Sequence, residues 1–304
     1  MAAILVTGVT GYLGSRLVPR LLDEGHRIRV LTRDESKLAG QAWSDRVEVV
    51  EGDAASYDVL ARALDGIDVG YYLLHSMDGR PGFEERDRQL ASTFARAAED
   101  GGVGRIVYMS GLHPAVDRLS PHLASRVEVG ETFLASGVPA AVLQAAVIIG
   151  SGSASFEMLR HLTRRLPVML APKWLDNRIQ PIAVRDVLHY LVAALELPAH
   201  SNRTFDVGGP DVLTYREMIQ RFAQVTGLRR RLVVTVPVLT PGLASLWVGL
   251  VTPVPAGLAR PLVASLVHEV VCREHDLDDL VGAPPGGALG YDAAVADAVA
   301  GRDP

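Results

Sequence analysis

The stretch Val6-Thr7-Gly8-Val9-Thr10-Gly11-Tyr12-Leu13-Gly14 decides the fold. It lies between an apolar run and an amphipathic run, so a strand is predicted before it and a helix after it. In such a unit the first glycine permits a tight turn, the second lets the backbone approach a pyrophosphate, and the third lets the helix pack on the sheet. Outside such a unit the same glycines would indicate only a turn. The predicted dinucleotide contacts are Thr7, Gly8, Thr10, Gly11, Tyr12, Leu13 and Gly14.

Short β-rich runs alternate with helical segments through the first half of the chain, which is typical of a parallel sheet. Strands are predicted at residues 3–7, 27–32, 47–50, 68–74, 105–109 and 140–145, with later helices at 83–100 and about 121–136. We therefore expect an α/β fold, a Rossmann-type doubly wound parallel sheet with a smaller, mostly helical C-terminal region. A dinucleotide-binding domain is expected over residues 1–150, and a substrate or lid region, partly interleaved with it, over 151–304.

The end of the second predicted strand carries a basic residue, Arg33, where an NAD-specific protein usually has an acidic one for the ribose 2′-hydroxyl. Lys37 follows four residues later, and the two cations together would bind a 2′-phosphate. The sequence therefore predicts NADP(H) as cofactor. The alternatives are that the two form a solvated surface pair, or that Asp34 neutralises the arginine.

Composition and charge exclude several classes of protein. With 48% hydrophobic residues among 304, the chain can bury a large core, and its net charge of -5 gives no basic field for nucleic acid. The single cysteine, Cys272, permits no internal disulfide and offers no zinc ligand cluster. The single cysteine thus predicts no structural metal. The amino end does not resemble a secretion leader, so a cytoplasmic protein is expected.

Gly52 and Asp53 follow the third predicted strand, where a carboxylate can accept a hydrogen bond from adenine or simply stabilise a turn. Together with the glycine motif and Arg33, this pair resembles the atypical and extended short-chain dehydrogenase/reductase superfamily, its NmrA-like branch in particular. The resemblance continues through the segments after the fourth and fifth strands. It implies that His75 and Ser76 line the nicotinamide ribose side, that Leu74 beside them also binds the cofactor, and that Ser110 takes the place of the catalytic serine.

The chain departs from that superfamily because it lacks the Tyr-x-x-x-Lys pair. The corresponding helix places His122 and Arg126 four residues apart on one face. Arg126 remains protonated and would hold the ribose. His122 is expected to titrate near neutrality and to serve as proton donor, unless it merely caps or solvates the helix. Ser125 and His113 are further possible donors, with packing and an ordinary loop position as their alternatives.

The C-terminal third is strongly apolar, and Arg260 is the sole charged residue between residues 232 and 267. Prolines interrupt this segment, which argues against a simple membrane-spanning helix. It could form packed helices, a lid over a lipophilic substrate, or a face resting on a membrane. Membrane contact is the less favoured option because the segment has so few basic residues. The basic clusters Arg160, Arg164 and Arg165, and residues 229–231, are interpreted as solvated helix ends.

The sequence thus predicts an NADP(H)-dependent oxidoreductase that acts on a carbonyl or activated alkene in an apolar small molecule. The alternative is a redox sensor or assembly factor that binds NADP(H) without turnover, which the resemblance also allows. The missing Tyr-x-x-x-Lys pair favours the alternative, whereas the apolar C-terminal region favours the enzyme. The oligomeric state is not predicted.

Overall fold

The computed structural model describes residues 1–75, 82–114, 119–236, 263–264 and 266–304. The strands are β1 (Ala3–Thr7), β2 (Arg27–Thr32), β3 (Glu48–Glu51), β4 (Val69–Tyr72), β5 (Arg105–Gly111), β6 (Ala140–Ala145), β7 (Ile148–Ile149), β8 (Val168–Ala171), β9 (Arg178–Ile179), β10 (Ile182–Ala183), β11 (Arg203–Val207), β12 (Leu213–Thr214) and β13 (Leu232–Thr235). The α-helices are α1 (Gly14–Asp23), α2 (Tyr57–Leu64), α3 (Phe83–Asp100), α4 (Pro121–Leu134), α5 (Ala154–Arg165), α6 (Val184–Ala193), α7 (Tyr215–Val225), α8 (Asp276–Val281) and α9 (Tyr291–Ala300).

Seven of the described strands form one parallel sheet in the order β11-β6-β5-β4-β1-β2-β3. Helices cover both faces, with α1 and α6 packed over one core and α2, α3 and α4 over the other. This confirms the predicted Rossmann-type doubly wound fold. The strand order reverses between β1 and β4, so a crevice opens at their carboxyl ends, which is where such sheets bind ligands.

The predicted strands β1, β2 and β6 have their predicted bounds, whereas β4 is shorter than the prediction of residues 68–74. Beyond Tyr72 the backbone hydrogen bonds between β4 and β1 stop, because the Leu73 amide donates instead to the Thr7 side chain, at Oγ1, at 3.2 Å. β5 is longer than predicted because Gly111 still pairs with Ala145 on β6. The chain thus leaves the sheet after Tyr72, at the carboxyl end of β4, where the crevice opens.

The C-terminal region is interleaved with the first half, because β11 joins the main sheet beside β6. The helices α5, α7 and α9 and the paired strands β8 and β13 form a separate core at the open end of the crevice. Within the apolar segment 232–267, residues 237–262 and 265 lie outside the described residues, so the lid, core and membrane alternatives for them stay predictions. No helix in the described part of the chain combines the length and hydropathy needed to cross a bilayer.

Candidate active site

A cleft of about 1090 Å³ follows the carboxyl ends of β1, β4 and β5 and continues into the C-terminal region. Among the residues that line it are the predicted site residues Gly8, Thr10, Gly11, Tyr12, Leu13, Gly14, Arg33, Lys37, Gly52, Asp53, Leu74, His75, Ser110, His122 and Arg126. The fold thus gathers into one cavity residues that are far apart in sequence. Ser76 lies outside the described residues.

The glycine turn is so tight that no side chain could be accommodated at Gly8 or Gly14. Gly8 has φ +71°, and a Cβ there would lie 2.4 Å from the Leu73 carbonyl oxygen. A Cβ on Gly14 would lie 2.4 Å from the carbonyl oxygen of Gly8. Thr7 is not among the lining residues, because its hydroxyl is buried and donates to the Tyr71 carbonyl at 3.0 Å. Thr7 therefore fastens β1 to β4 beneath the turn, and cofactor contact by its side chain stays a prediction.

Three features of the cleft fit a bound dinucleotide. No side chain caps the amino end of α1, and although the Ser15 and Arg16 amides already donate to the Gly11 and Leu13 carbonyls, the positive end of the helix dipole there favours a phosphate. The Tyr12 hydroxyl and the Arg126 Nε are buried without a hydrogen-bond partner among the described residues. Both side chains line the cleft. Buried polar atoms without partners are costly, so a polar ligand in this cavity would relieve them.

The end of the cleft near β2 carries the predicted phosphate clamp. Arg33 and Lys37 are both exposed there. The carboxylate of Asp34 accepts a hydrogen bond from the Ser36 amide at 3.1 Å and lies 3.8 Å from Lys37 Nζ. The acidic neighbour is therefore paired with the lysine, and not with Arg33 as the sequence allowed. No ion pair joins Arg33 to another described residue.

Asp53 lines the same end of the cleft, and its carboxylate accepts a hydrogen bond from the Ala55 amide at 3.0 Å. The turn-stabilising alternative from the sequence is therefore present in the structure. A Cβ at Gly52 would lie 2.6 Å from the Val59 side chain on α2, so a larger residue would collide with Val59. The adenine contact of Asp53 stays a prediction.

The opposite end of the cleft contains a pair of imidazoles, His75 after β4 and His122 in the first turn of α4. Their Nε2 atoms lie 3.0 Å apart, within hydrogen-bonding distance, although the residues are 47 positions apart in sequence. Burial, followed by the Arg126 guanidinium and His122, lowers the pKa of His75 to about 2. Burial and Arg126 likewise lower the pKa of His122 to about 3.

The expectation that His122 titrates near neutrality is therefore wrong, because His122 is buried beside a permanent cation. At neutral pH both rings are uncharged, and one Nε2–H donates to the Nε2 lone pair of the other ring. A neutral imidazole still has one N–H, so the pair can donate a hydrogen bond without being an imidazolium.

Asp87 on α3 completes this cluster. It is 5% exposed, and its Oδ2 lies 3.8 Å from His75 Nδ1 and accepts a hydrogen bond from Ser125 Oγ at 3.3 Å. Ser125 is thus a partner of Asp87 and not a separate proton donor. The carboxylate faces Nδ1 of His75 and favours a proton there, which leaves Nε2 to share with His122.

Ser110 and Arg126 are held against the backbone of neighbouring elements. The Ser110 hydroxyl donates to the Arg126 carbonyl at 3.3 Å, so it would have to break that bond to donate to a ligand. The Arg126 guanidinium donates to the Met109 carbonyl and lies over the Tyr108 ring at 5.9 Å. The ring of His113 lies 3.2 Å from the Pro114 carbonyl and is not among the residues lining the cleft.

Beyond the imidazoles the cleft becomes apolar. Met158 of α5 and Tyr215 of α7 line it, together with Leu266 and Val270. All four of these side chains are buried in the C-terminal core, and Met158 is only 2% exposed. Burial raises the pKa of the Tyr215 hydroxyl, which has no partner among the described residues. A ligand extending past the imidazoles would therefore meet mainly hydrocarbon.

Sequence reasoning missed Asp87, although a signal was present. In α3 the buried residues Asp87, Ala91, Phe94, Ala95 and Ala98 recur at helical spacing. An acidic residue on the apolar face of a helix is costly unless it is paired, and it therefore indicates a specific role. In the part of the chain that the structure describes, no group of three or more His, Cys, Asp or Glu residues could hold a metal ion.

Comparison with known proteins places this geometry in a family. The chain is 30% identical over 234 residues to a ceramide reductase of Caulobacter vibrioides, covering 76% of this chain and 72% of that protein. It is 26% identical over 239 residues to the photosystem II assembly factor Ycf39 of Synechocystis, covering 75% and 69% respectively.

The fold is shared with a Citrobacter triphenylmethane reductase solved in complex with NADP(H), with a TM-score of 0.74 and 21% identity over 97% of this chain and 99% of that one. The NmrA-like family matches residues 1–240, and these include the glycine turn, both imidazoles and the Asp87 carboxylate. The chain therefore belongs to the NmrA-like family.

Proposed function

We propose that the protein is an NADP(H)-dependent reductase of a lipophilic small molecule that contains a carbonyl or an activated alkene. One observation supports this most strongly. A single cleft joins the glycine turn to a buried imidazole pair and then to an apolar end. A dinucleotide site, a proton donor and a hydrophobic substrate site would thus be arranged along one cavity.

The cofactor assignment is supported by the chain's own donors. The uncapped amino end of α1 suits a pyrophosphate, and Arg33 with Lys37 suits a 2′-phosphate. The unpartnered Nε of Arg126 is a donor suited to ribose oxygens. When bound, NADP(H) would supply the hydride. The residues of the chain then have to orient the acceptor, exclude water and provide the proton.

The imidazole pair supplies that proton without becoming charged. Donation would start from the other tautomer of the pair, with His75 protonated at Nε2 and His122 at Nδ1, and the Nδ1 proton of His122 would bond to the acceptor atom that receives the electron pair. His122 regains a proton at Nε2 from His75, and His75 regains one at Nδ1, ultimately from water. Each ring ends neutral with its tautomer exchanged. The low pKa values of both rings favour this route over one through an imidazolium.

The apolar end of the cleft supports a lipophilic acceptor, and the similarity to a ceramide reductase is consistent with a long-chain substrate. The test is to follow oxidation of NADPH with a panel of long-chain ketones, quinones and conjugated enones. Turnover that falls as the chain of the acceptor is shortened supports the proposal. Equal rates with short, hydrophilic carbonyls would contradict the lipophilic substrate class.

A second candidate, an NADP(H)-binding assembly or sensing protein without turnover, is supported by the similarity to Ycf39 and by the engaged hydroxyl of Ser110. The same experiment separates the two candidates. Saturable binding of NADPH with no oxidation in the presence of any acceptor in the panel favours the second. Failure to bind NADPH at all would contradict both.

A further inference from the structure

The paired strands β8 and β13 expose an aliphatic surface. Val168 and Leu170 on β8 are 52% and 58% exposed, and Leu232 and Val234 on β13 are 59% and 43% exposed. In the parallel register Leu232 pairs with Val168, and Val234 pairs with Leu170. The four side chains therefore form one block, which we call the aliphatic face. A contiguous exposed block of this kind is typical of an interaction site.

Arginines collect at one end of the aliphatic face. Arg164 and Arg165 precede β8, and Arg229 and Arg230 precede β13. Because the two strands are parallel, their amino ends lie side by side, and so do the two basic clusters. All four arginines are exposed, and Arg164, Arg229 and Arg230 form no ion pair with other described residues.

Arg231 fixes this arrangement. It is only 8% exposed, and its Nε donates to the Thr163 carbonyl at the end of α5 at 2.7 Å. Its backbone amide donates to Gln220 Oε1 on α7 at 3.2 Å. The start of β13 is thus tied to the helix that precedes β8. The exposed arginines, which looked like separate helix ends in the sequence, are held together beside the aliphatic face.

We propose that the aliphatic face and its arginines bind the surface of an anionic lipid bilayer. Aliphatic side chains next to exposed cations match the boundary between acyl chains and anionic headgroups. The chain as a whole has a net charge of -5, so the cations are concentrated here against the overall balance. The segment 232–267 itself has few basic residues, which argued against membrane contact in the sequence. The arginines outside this segment supply the positive charge that an anionic bilayer would attract. A symmetric contact between two copies fits less well, because it would bring their arginines into one interface.

The other side of the same strands faces the cleft region. Met169 and Ala171 of β8 are buried in the C-terminal core, in the cluster that also contains Met158 and Tyr215. Met158 and Tyr215 line the apolar end of the cleft. A bilayer on the aliphatic face would therefore lie on the opposite side of β8 from the core that includes residues of that end. The membrane proposal does not depend on the reductase proposal, since it concerns binding and not turnover.

The test is co-sedimentation of the full chain with phosphatidylcholine vesicles that contain or lack phosphatidylglycerol. We expect binding only to the anionic vesicles, weakening as salt is added. Each arginine contributes roughly fivefold to partitioning, so Arg164→Gln/Arg229→Gln/Arg230→Gln should lose about a hundredfold. Replacing Leu170 and Leu232 by Glu should lose at least about tenfold. Circular dichroism checks that the variants are folded.

Two control variants make the same kinds of change at other exposed positions. Arg27→Gln/Arg62→Gln removes exposed arginines elsewhere. Leu280→Glu/Val299→Glu alters aliphatic residues that are 46% and 43% exposed. Both should bind anionic vesicles like the wild type. Equal losses in control and test variants, or equal binding to both vesicle types, would overturn the proposal. So would a dimer in solution that the Leu170 and Leu232 changes dissociate, combined with no vesicle binding.

Discussion

Acid should destabilise the protein through the His75–His122 pair. In the unfolded chain each histidine has its ordinary pKa of 6.5, whereas burial lowers the folded values to about 2 and about 3. The unfolded state therefore binds these protons first as the pH falls. The stabilising contribution is complete above pH 6.5 and is lost progressively as the pH drops toward the folded pKa values.

The magnitude follows from the size of the gap. Each pH unit below the unfolded pKa costs about 1.4 kcal/mol per histidine. Between neutral pH and about pH 5 the loss is thus about 2 kcal/mol for each ring and up to about 4 kcal/mol for the pair. The Asp87 carboxylate lies 3.8 Å from His75 and opposes this trend, while the Arg126 guanidinium reinforces it. The observed loss should therefore not exceed the upper value.

The assay is urea unfolding at pH 7 and at about pH 5 for the wild type, His75→Gln, His122→Gln and the double variant. The readout is the difference between the two pH values, so any loss of packing in a variant cancels. His26 and His161 also have lowered pKa values, but they are present in every protein compared. His200→Gln, at an exposed position, is the matched control.

We expect the double variant to lose less stability on acidification than the wild type, by about 2–4 kcal/mol, and His200→Gln to behave like the wild type. The same pH-dependent loss in the double variant and the wild type would refute the buried, neutral pair. A greater acid sensitivity in the double variant would mean that the folded protein binds protons at these rings.

Three further predictions concern the cleft. Arg33→Ala/Lys37→Ala should weaken NADPH binding about tenfold or more and leave NADH binding nearly unchanged, and equal losses in a fluorescence titration would contradict the phosphate clamp. Gly8→Ala should abolish cofactor binding and lower the free energy of unfolding by about 1–3 kcal/mol, because its Cβ would meet Leu73. The control is Gly66→Ala, at φ +66° in open space, which should retain cofactor binding. Asp87→Asn should lower kcat about 10–100-fold with KM nearly unchanged, because the tautomer of His75 is no longer fixed; a rise in KM alone would assign Asp87 to substrate binding.

Local sequence patterns were sufficient to predict the fold. The glycine run, the apolar strands and the helical spacing of Phe83–Asp100 are all set by neighbours in sequence, and each is present in the structure. The predicted bounds of elements are wrong where contacts with distant parts of the chain determine where an element ends. β4 ends early because Thr7, from another strand, takes over the Leu73 amide.

The chemistry of the site could be predicted only in part. The sequence identified His75 and His122 as separate residues, but their contact depends on how β4 and α4 meet across the sheet. The pKa of His122 depends on burial, which no local pattern gives. Likewise, the arginines at 164–165 and 229–230 become one cluster only through the parallel pairing of β8 with β13.

The most direct test of the reductase site is transfer of deuterium from C4-deuterated NADPH to a long-chain carbonyl acceptor, followed by mass spectrometry of the product. We predict deuterium on the former carbonyl carbon and a rate that falls at least about a hundredfold in His122→Gln. Bound NADPH with no deuterium in any lipophilic ketone, quinone or enone would contradict a reductase and leave a protein that only binds the cofactor.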